Sequence, residues 1–263
     1  MSNGILAGKR GLVMGVANDK SIAWACAQAC AAEGASLKFN YVGDALEKRV
    51  GKLLDAHMPD AAMYSCDVTQ DAEIENFFAW VREEWDGIDF LIHSIAYADR
   101  EDLKDQFITT PRANFAMALD VSAYSLVALS REAAPMMSDG GSIVTMTYYG
   151  AEKVIPRYNV MGVAKAALEA SVRYLAHDLG GAGIRVNAIS AGPLKTLSAS
   201  AISGMRKMFS RYSEVAPLRR GLEADEVAKS AVYLLSDLSS AVTGEVIHVD
   251  CGYHAMGMYA LEE

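Results

Sequence analysis

Gly11-Leu-Val-Met-Gly15-Val-Ala-Asn-Asp-Lys-Ser21-Ile22-Ala23 is the stretch whose reading decides the fold. Residues 11–14 form a short apolar run of strand type, a loop opens on Gly15, and Ser21 stands where a helix cap is wanted before the helical pattern of residues 22–33. The same alternation runs to the end of the chain. Strand candidates follow at residues 36–41, 62–66, 90–93, 142–147, 185–189 and 246–249. Helix candidates fill the gaps at residues 45–56, 72–85, 114–137, 156–179, 198–210 and 224–235. Strands that read apolar throughout and are separated by helices indicate a parallel sheet covered on both faces. Right-handed crossovers make that a doubly wound, Rossmann-like α/β sheet of about seven strands. At 263 residues the chain suits one such domain, spanning residues 1–263, and no repeat, low-complexity tract or linker divides it.

Composition narrows the function. Hydrophobic residues make up 52% and charged residues 22%, enough for a large core. The net charge of −9 argues against nucleic acid or an anionic membrane as partner, because both call for basic patches. Cys26, Cys30, Cys66 and Cys251 form no CxxC, so free structural thiols in a reducing compartment are expected. The five histidines make neither HxH nor HExxH, so no metal site is expected. With no signal segment and no apolar run of membrane-spanning length, a cytoplasmic location is expected.

In a doubly wound sheet the ligand lies beyond the carboxyl ends of the strands. Gly15, Val42, Asp67, Ser94-Ile95-Ala96, Tyr148 and Ala191-Gly192-Pro193 occupy those places. Gly15 permits a tight turn and close backbone approach to a pyrophosphate, and free N–H groups at a helix start near Ser21 favour an anion. The GxGxxG pattern is absent; the position of the loop in the first βα unit carries the reading. No Arg or Lys stands between positions 39 and 47 to meet a ribose 2′-phosphate, which favours NADH over NADPH, with Lys38 and Lys48 the nearest cations. Asp67 is placed either to bond an adenine amino group or simply to cap a helix.

Tyr158 and Lys165 lie seven positions apart, almost two turns of the helix expected at 156–179, and so share one of its faces. A phenol can hydrogen-bond a carbonyl oxygen while an ammonium favours negative charge nearby, a pairing suited to reduction. A second pair, Tyr149 and Lys153, fits the YxxxK of ketone-reducing dehydrogenases. It falls in a stretch broken by Gly150 and Pro156, where a helix cannot place the two side chains, and reads as a solvated loop.

Taken in order, Gly15…Ser21-Ile22-Ala23, Cys66-Asp67-Val68, Ser94-Ile95-Ala96, Tyr148…Tyr158…Lys165 and Arg185-Val-Asn-Ala-Ile-Ser-Ala-Gly-Pro193 resemble the bacterial NADH-dependent enoyl-[acyl-carrier-protein] reductases, a divergent branch of the short-chain dehydrogenase/reductases, over essentially the whole chain. The resemblance implies that Gly15, Ser21 and Ile22 hold the pyrophosphate, Val42 lies near the adenosine ribose, and Asp67 and Val68 frame the adenine. It implies Ile95 near the nicotinamide and Lys165 on the nicotinamide ribose. Leu194, Lys195, Thr196, Leu197 and Ser198 close over nicotinamide and diphosphate. Ala98, Tyr148 and Tyr158 meet the substrate, with Tyr158 as hydrogen-bond donor and Tyr148 lining the pocket in a chemical or a packing role. An acyl-carrier protein bearing the enoyl chain is the implied partner and a homotetramer the implied assembly. This chain departs from the family's frequent Gly at Ala96 and frequent polar residue at Val42.

Residues 197–212 read as a lid over the acyl chain or a core-facing helix, with Ile202, Met205, Met208 and Phe209 at helical spacing, and Arg206, Lys207 and Arg211 as a solvated face that could also dock an acidic carrier. The apolar tail from Cys251 reads as a subunit contact. Two other readings stay open at this point: a ketone reductase using Tyr149 and Lys153, and a non-catalytic dinucleotide-sensing module.

Overall fold

In a computed structural model, described for residues 4–194 and 205–258, seven strands form one sheet. They are β1 (Arg10–Met14), β2 (Ser36–Tyr41), β3 (Ala62–Ser65), β4 (Phe90–His93), β5 (Gly141–Thr147), β6 (Ile184–Ala191) and β7 (Val246–Val249). The order is β3-β2-β1-β4-β5-β6-β7, and every pair is parallel. The order reverses between β1 and β4, the switch point at which a doubly wound sheet opens its ligand crevice. Seven paired positions, Gly141↔Ile184 through Thr147↔Ser190, make β5–β6 the longest ladder.

Helices α1 (Ile22–Ala32), α2 (Gly43–His57), α3 (Asp71–Glu84), α4 (Arg112–Leu119), α5 (Ser125–Ala133), α6 (Val160–Gly180), α7 (Met205–Val215) and α8 (Ala224–Leu235) complete the fold. Neighbouring strand residues point to opposite faces, and the core divides accordingly. Val13, Ile92 and Val144 join α1, α2 and α8 in one apolar cluster, while Leu12, Leu91 and Ile143 join α3, α5 and α6 in the other. Both faces are covered, which is why these strands lack a polar alternation.

Three expectations change. The helix anticipated at residues 156–179 begins only at Val160. Arg157 (φ 66°) and Asn159 (φ 43°) take left-handed backbone conformations that a right-handed helix cannot contain, so Tyr158 sits in the turn ahead of α6. The helix anticipated at 114–137 is interrupted by a π-type turn, Asp120–Tyr124, between α4 and α5. That composite helix, Arg112–Met136, is also long and apolar enough to span a membrane by length and composition alone, contrary to the sequence expectation. Its Leu126, Ala128, Leu129 and Ala133 are buried in the core beneath the sheet.

Close strand packing yields a direct test. Gly11 pairs with Phe90, and a Cβ at position 11 would run into the buried Phe90 ring. Gly11→Val is therefore expected to cost about 1–3 kcal/mol or more of stability, read as a lowered urea midpoint with an unchanged slope.

Candidate active site

The crevice begins where β1 ends. Gly15 has φ 97°, and any side chain there would collide with the Ser94 carbonyl beyond β4. Its N–H donates to Asn40 Oδ1 (2.9 Å), and Asn40 Nδ2 donates to the Cys66 carbonyl (3.1 Å). One buried amide on β2 thus ties together the ends of three strands. Ser21 caps α1: its Oγ accepts the Trp24 N–H (3.3 Å) and donates to the Asn18 carbonyl (2.7 Å). Trp24 is buried in the core, which aims the start of α1 at the loop. The N–H groups of Ile22 and Ala23, in the first turn, have no acceptor within the helix and form its positive end. Arg49 on α2 donates to the Ala17 carbonyl (3.2 Å) and braces the same loop.

Val42 caps α2 and is 44% exposed at the end of β2, beside Asp44 in the first turn. Lys38 turns away from this end. It is buried, its Nζ lies 2.5 Å from Glu84, and it sits over the rings of Trp80 and Trp85. Asp67 Oδ1 accepts the N–H (3.0 Å) and hydroxyl (2.9 Å) of Thr69, and the Asp67 N–H donates to Glu73 Oε2 (2.8 Å). Asp67 therefore shapes the turn that leads to α3, whose N-cap position is Gln70, so Asp67 is not itself the helix cap, and Val68 beside it is buried.

Beyond β4, Ile95 packs half-buried against the core. The Tyr97 N–H donates to Ser122 Oγ (2.9 Å) and Ser122 donates back to the Tyr97 carbonyl (3.1 Å), fastening the segment before Ala98 to the π-type turn. Tyr97 itself is 52% exposed.

The reacting end forms where β5 meets α6. Lys165 is buried, and its Nζ donates to the Met146 carbonyl (2.8 Å). Burial pushes its pKa down to about 8, with the Glu169 carboxylate acting in the opposite direction. Thr147 donates to Glu169 Oε1 (2.7 Å). Behind them His93 is clamped between Thr145 (2.7 Å) and Ser125 (2.8 Å), and burial first, then Lys165, holds its pKa down near about 3, so the ring is neutral. The ring of Tyr148 meets that of Tyr158 edge-on, with centroids 4.9 Å apart. Burial raises the Tyr148 phenol to about 12 and raises Tyr158 further, with Tyr148 and Glu169 adding to the effect, so both keep their protons at neutral pH.

The turn that carries Tyr158 is pinned from outside. Asn159 Nδ2 donates to the carbonyls of Asp102 (2.7 Å) and Asp105 (2.8 Å), which holds its unusual backbone conformation. Gly150 leaves room for the Tyr158 ring, and a Cβ on Gly162 would lie 2.8 Å from the Gly150 carbonyl. Gly150, Asn159, Ser122 and Glu169 were not legible as site residues. Only Glu169 left a trace, one helical turn beyond Lys165.

Tyr149 and Lys153 are not joined into a site. Tyr149 lies in a short 3₁₀ turn, donates to the His254 carbonyl (3.3 Å) and packs on His248 and Tyr253, while Lys153 is exposed. The expected solvated loop is thus correct for Lys153 and wrong for Tyr149, whose ring is held by aromatic neighbours. Leu194 is buried in the core, whereas Lys195, Thr196, Leu197, Ser198 and the lid as far as residue 204 lie outside the described residues. From the tail, Tyr253 stacks on Tyr212 of its own chain (4.9 Å), and Tyr212 donates to the Asp250 carbonyl. All four cysteines are free and buried. Among the described residues, no three His, Cys, Asp or Glu side chains are grouped to hold a metal ion.

Known proteins resemble this chain in sequence and fold. The family model described as "Enoyl-(Acyl carrier protein) reductase" matches residues 15–254. "Enoyl-[acyl-carrier-protein] reductase [NADH] 1" of Rhizobium meliloti is 54% identical, with 99% of this chain and 96% of that one covered. A solved enoyl-(acyl-carrier-protein) reductase of Anaplasma phagocytophilum in complex with NAD matches with TM-score 0.94 at 46% identity, covering 99% of each chain. The Bacillus cereus enoyl-acyl carrier protein reductase, solved with NADP+ and indole naphthyridinone, matches with TM-score 0.95 at 49% identity, covering 97% of this chain and 100% of that one. With strand order, crevice and sequence in agreement, the chain belongs to the enoyl-[acyl-carrier-protein] reductase family.

Proposed function

We propose that this protein reduces the C2=C3 double bond of trans-2-enoyl thioesters carried on an acyl-carrier protein, using NADH, as the last reductive step of fatty-acid elongation. The observation that carries the reading is the edge-on pair of protonated phenols, Tyr148 and Tyr158, just beyond β5, the strand whose Met146 carbonyl holds the buried ammonium of Lys165.

The residues present suit a dinucleotide. Gly15 has no room for a side chain against Ser94, and the open start of α1 lies just beyond it, a combination that favours a pyrophosphate. Gly15, Ser21 and Ile22 would hold that group, Val42 the adenosine ribose, Asp67 and Val68 the adenine, and Ile95 the nicotinamide side. Leu194, Lys195, Thr196, Leu197 and Ser198 would cover it. Lys38 is committed to Glu84, and Asp44 opens α2, so a ribose 2′-phosphate finds no cation there from β2. This supports NADH as the working reductant.

When bound, the nicotinamide supplies a hydride to C3 of the substrate. Tyr158 would donate its hydrogen bond to the thioester oxygen, where negative charge develops as an enolate, and a proton delivered to C2 by solvent or a relay would complete the saturated thioester. Such a donor is worth roughly 3–4 kcal/mol of barrier. Lys165 holds the nicotinamide ribose and adds a positive field. Tyr148 packs edge-on against Tyr158, and with Ala98 would line the pocket for the acyl chain. A ketone reductase built on Tyr149 is disfavoured, because that hydroxyl is turned to the His254 carbonyl.

We also assign the protein to the cytoplasm as a homotetramer. Met117, Tyr124, Val163 and Tyr174 are exposed apolar side chains on and between α4 and α6, and support burial against further copies. Light scattering should then return four times the 28.3 kDa chain mass.

Tyr158→Phe is expected to lower kcat with a trans-2-enoyl-CoA by roughly 10²–10³-fold while leaving NADH affinity in place, and Tyr149→Phe to leave kcat near the parent value. Equal losses in both variants, or loss only in Tyr149→Phe, contradict the assignment. The pH profile has a definite sign. Lys165 works as a cation, so kcat/KM should fall as pH rises through about 8, well before the Tyr148 proton is lost near about 12.

A further inference from the structure

Glu169 is a buried acid that the chemistry above does not use. It is 7% exposed and lies four residues beyond Lys165, 5% exposed, on the same face of α6. The two side chains grip consecutive residues of β5: Lys165 Nζ holds the Met146 carbonyl (2.8 Å), and Glu169 Oε1 accepts the Thr147 hydroxyl (2.7 Å). Tyr148 is the next residue. Burying a carboxylate is costly unless it is hydrogen-bonded or its charge is used: burial raises the Glu169 pKa, the Thr147 hydrogen bond opposes that rise, and Lys165, one turn away, feels the carboxylate's charge.

We propose that Glu169 is a positioning residue for the reduction: through Thr147 and through its own negative charge it keeps Lys165 in place and cationic at the end of β5.

The surroundings agree. His93, facing Lys165 from β4, is neutral between Thr145 and Ser125 and offers no counter-charge. Glu169 is faced by Glu152 from the segment after β5, by His248 from β7 and by Arg173 from its own helix, and Tyr158 feels its charge from the turn before α6. His248 is bonded to Glu152 (2.6 Å), so that pair largely satisfies itself. Glu169 is the charge acting on Lys165 against its burial.

The inference rests on Lys165 holding the nicotinamide ribose, and one experiment separates the two claims. NADH affinity is measured by fluorescence from pH 6 to 10 for the parent protein and for Lys165→Met, Glu169→Gln, Glu169→Met, Glu169→Asp and Thr147→Val. In the parent, affinity is expected to fall as pH rises through about 8. Lys165→Met should bind weakly with no such fall; parent-like affinity and profile in that variant overturn the underlying reading. Glu169→Gln keeps the Thr147 hydrogen bond but removes the charge, and should move the midpoint to lower pH by roughly one unit. Glu169→Asp should restore it. Thr147→Val should weaken binding at every pH without moving the midpoint. A Glu169→Gln profile superimposed on the parent's, with Lys165→Met impaired, overturns the proposal and leaves the reading standing. Should Glu169→Gln fail to fold, the apolar Glu169→Met carries the same expectation and the same refutation.

Discussion

An ammonium group held out of water at the end of β5 is the constraint around which this site is organised. Lys165 reaches that position because α6 lies along the sheet and its Nζ finds the Met146 carbonyl. A buried cation without a partner would be expensive, so the surrounding structure is arranged to receive it: a carbonyl at hydrogen-bond distance, a carboxylate one turn away and a histidine kept neutral by its burial and by Lys165 itself. The phenols follow from the same placement. Tyr148 continues the strand that holds the lysine, and Tyr158 closes against it edge-on.

The sheet supplies rigidity and the loops supply reach. Two apolar clusters grip the strands from opposite faces, so the carboxyl ends of β1, β4, β5 and β6 keep a common edge. Side chains then staple that edge crosswise. Asn40 joins the ends of β1, β2 and β3, and Ser122 joins the segment after β4 to the π-type turn. Asn159 anchors the turn bearing Tyr158 to the backbone of residues 102 and 105. Each staple satisfies backbone groups that a loop would otherwise leave to water, and each fixes a residue facing the crevice.

Local reading failed in instructive places. Tyr158 and Lys165 were read as one helical face, yet the helix starts after Tyr158, because a left-handed Asn159 breaks it. That conformation is held by carbonyls more than fifty residues upstream, which no local pattern encodes. Tyr149 was read as solvated because Gly150 and Pro156 forbid a helix; its actual neighbours, His248, Tyr253 and His254, come from the far end of the chain.

What the sequence by itself determined is the alternation of apolar strands and helices, and with it a parallel, doubly wound sheet with its chemistry beyond the strand ends. Periodicity and burial are local properties, so β2, β4, β7 and α8 emerge with the boundaries read from the chain. The order of Gly15, Tyr148, Tyr158 and Lys165 likewise marks the family without a fold in view. Tertiary structure alone decided that Tyr158 packs on Tyr148, that Lys38 is spent on Glu84, and that Glu169 bonds the strand residue next to the one Lys165 holds. Those outcomes depend on distances between groups far apart in sequence and on the cost of burying charge, and both arise only once the strands have packed.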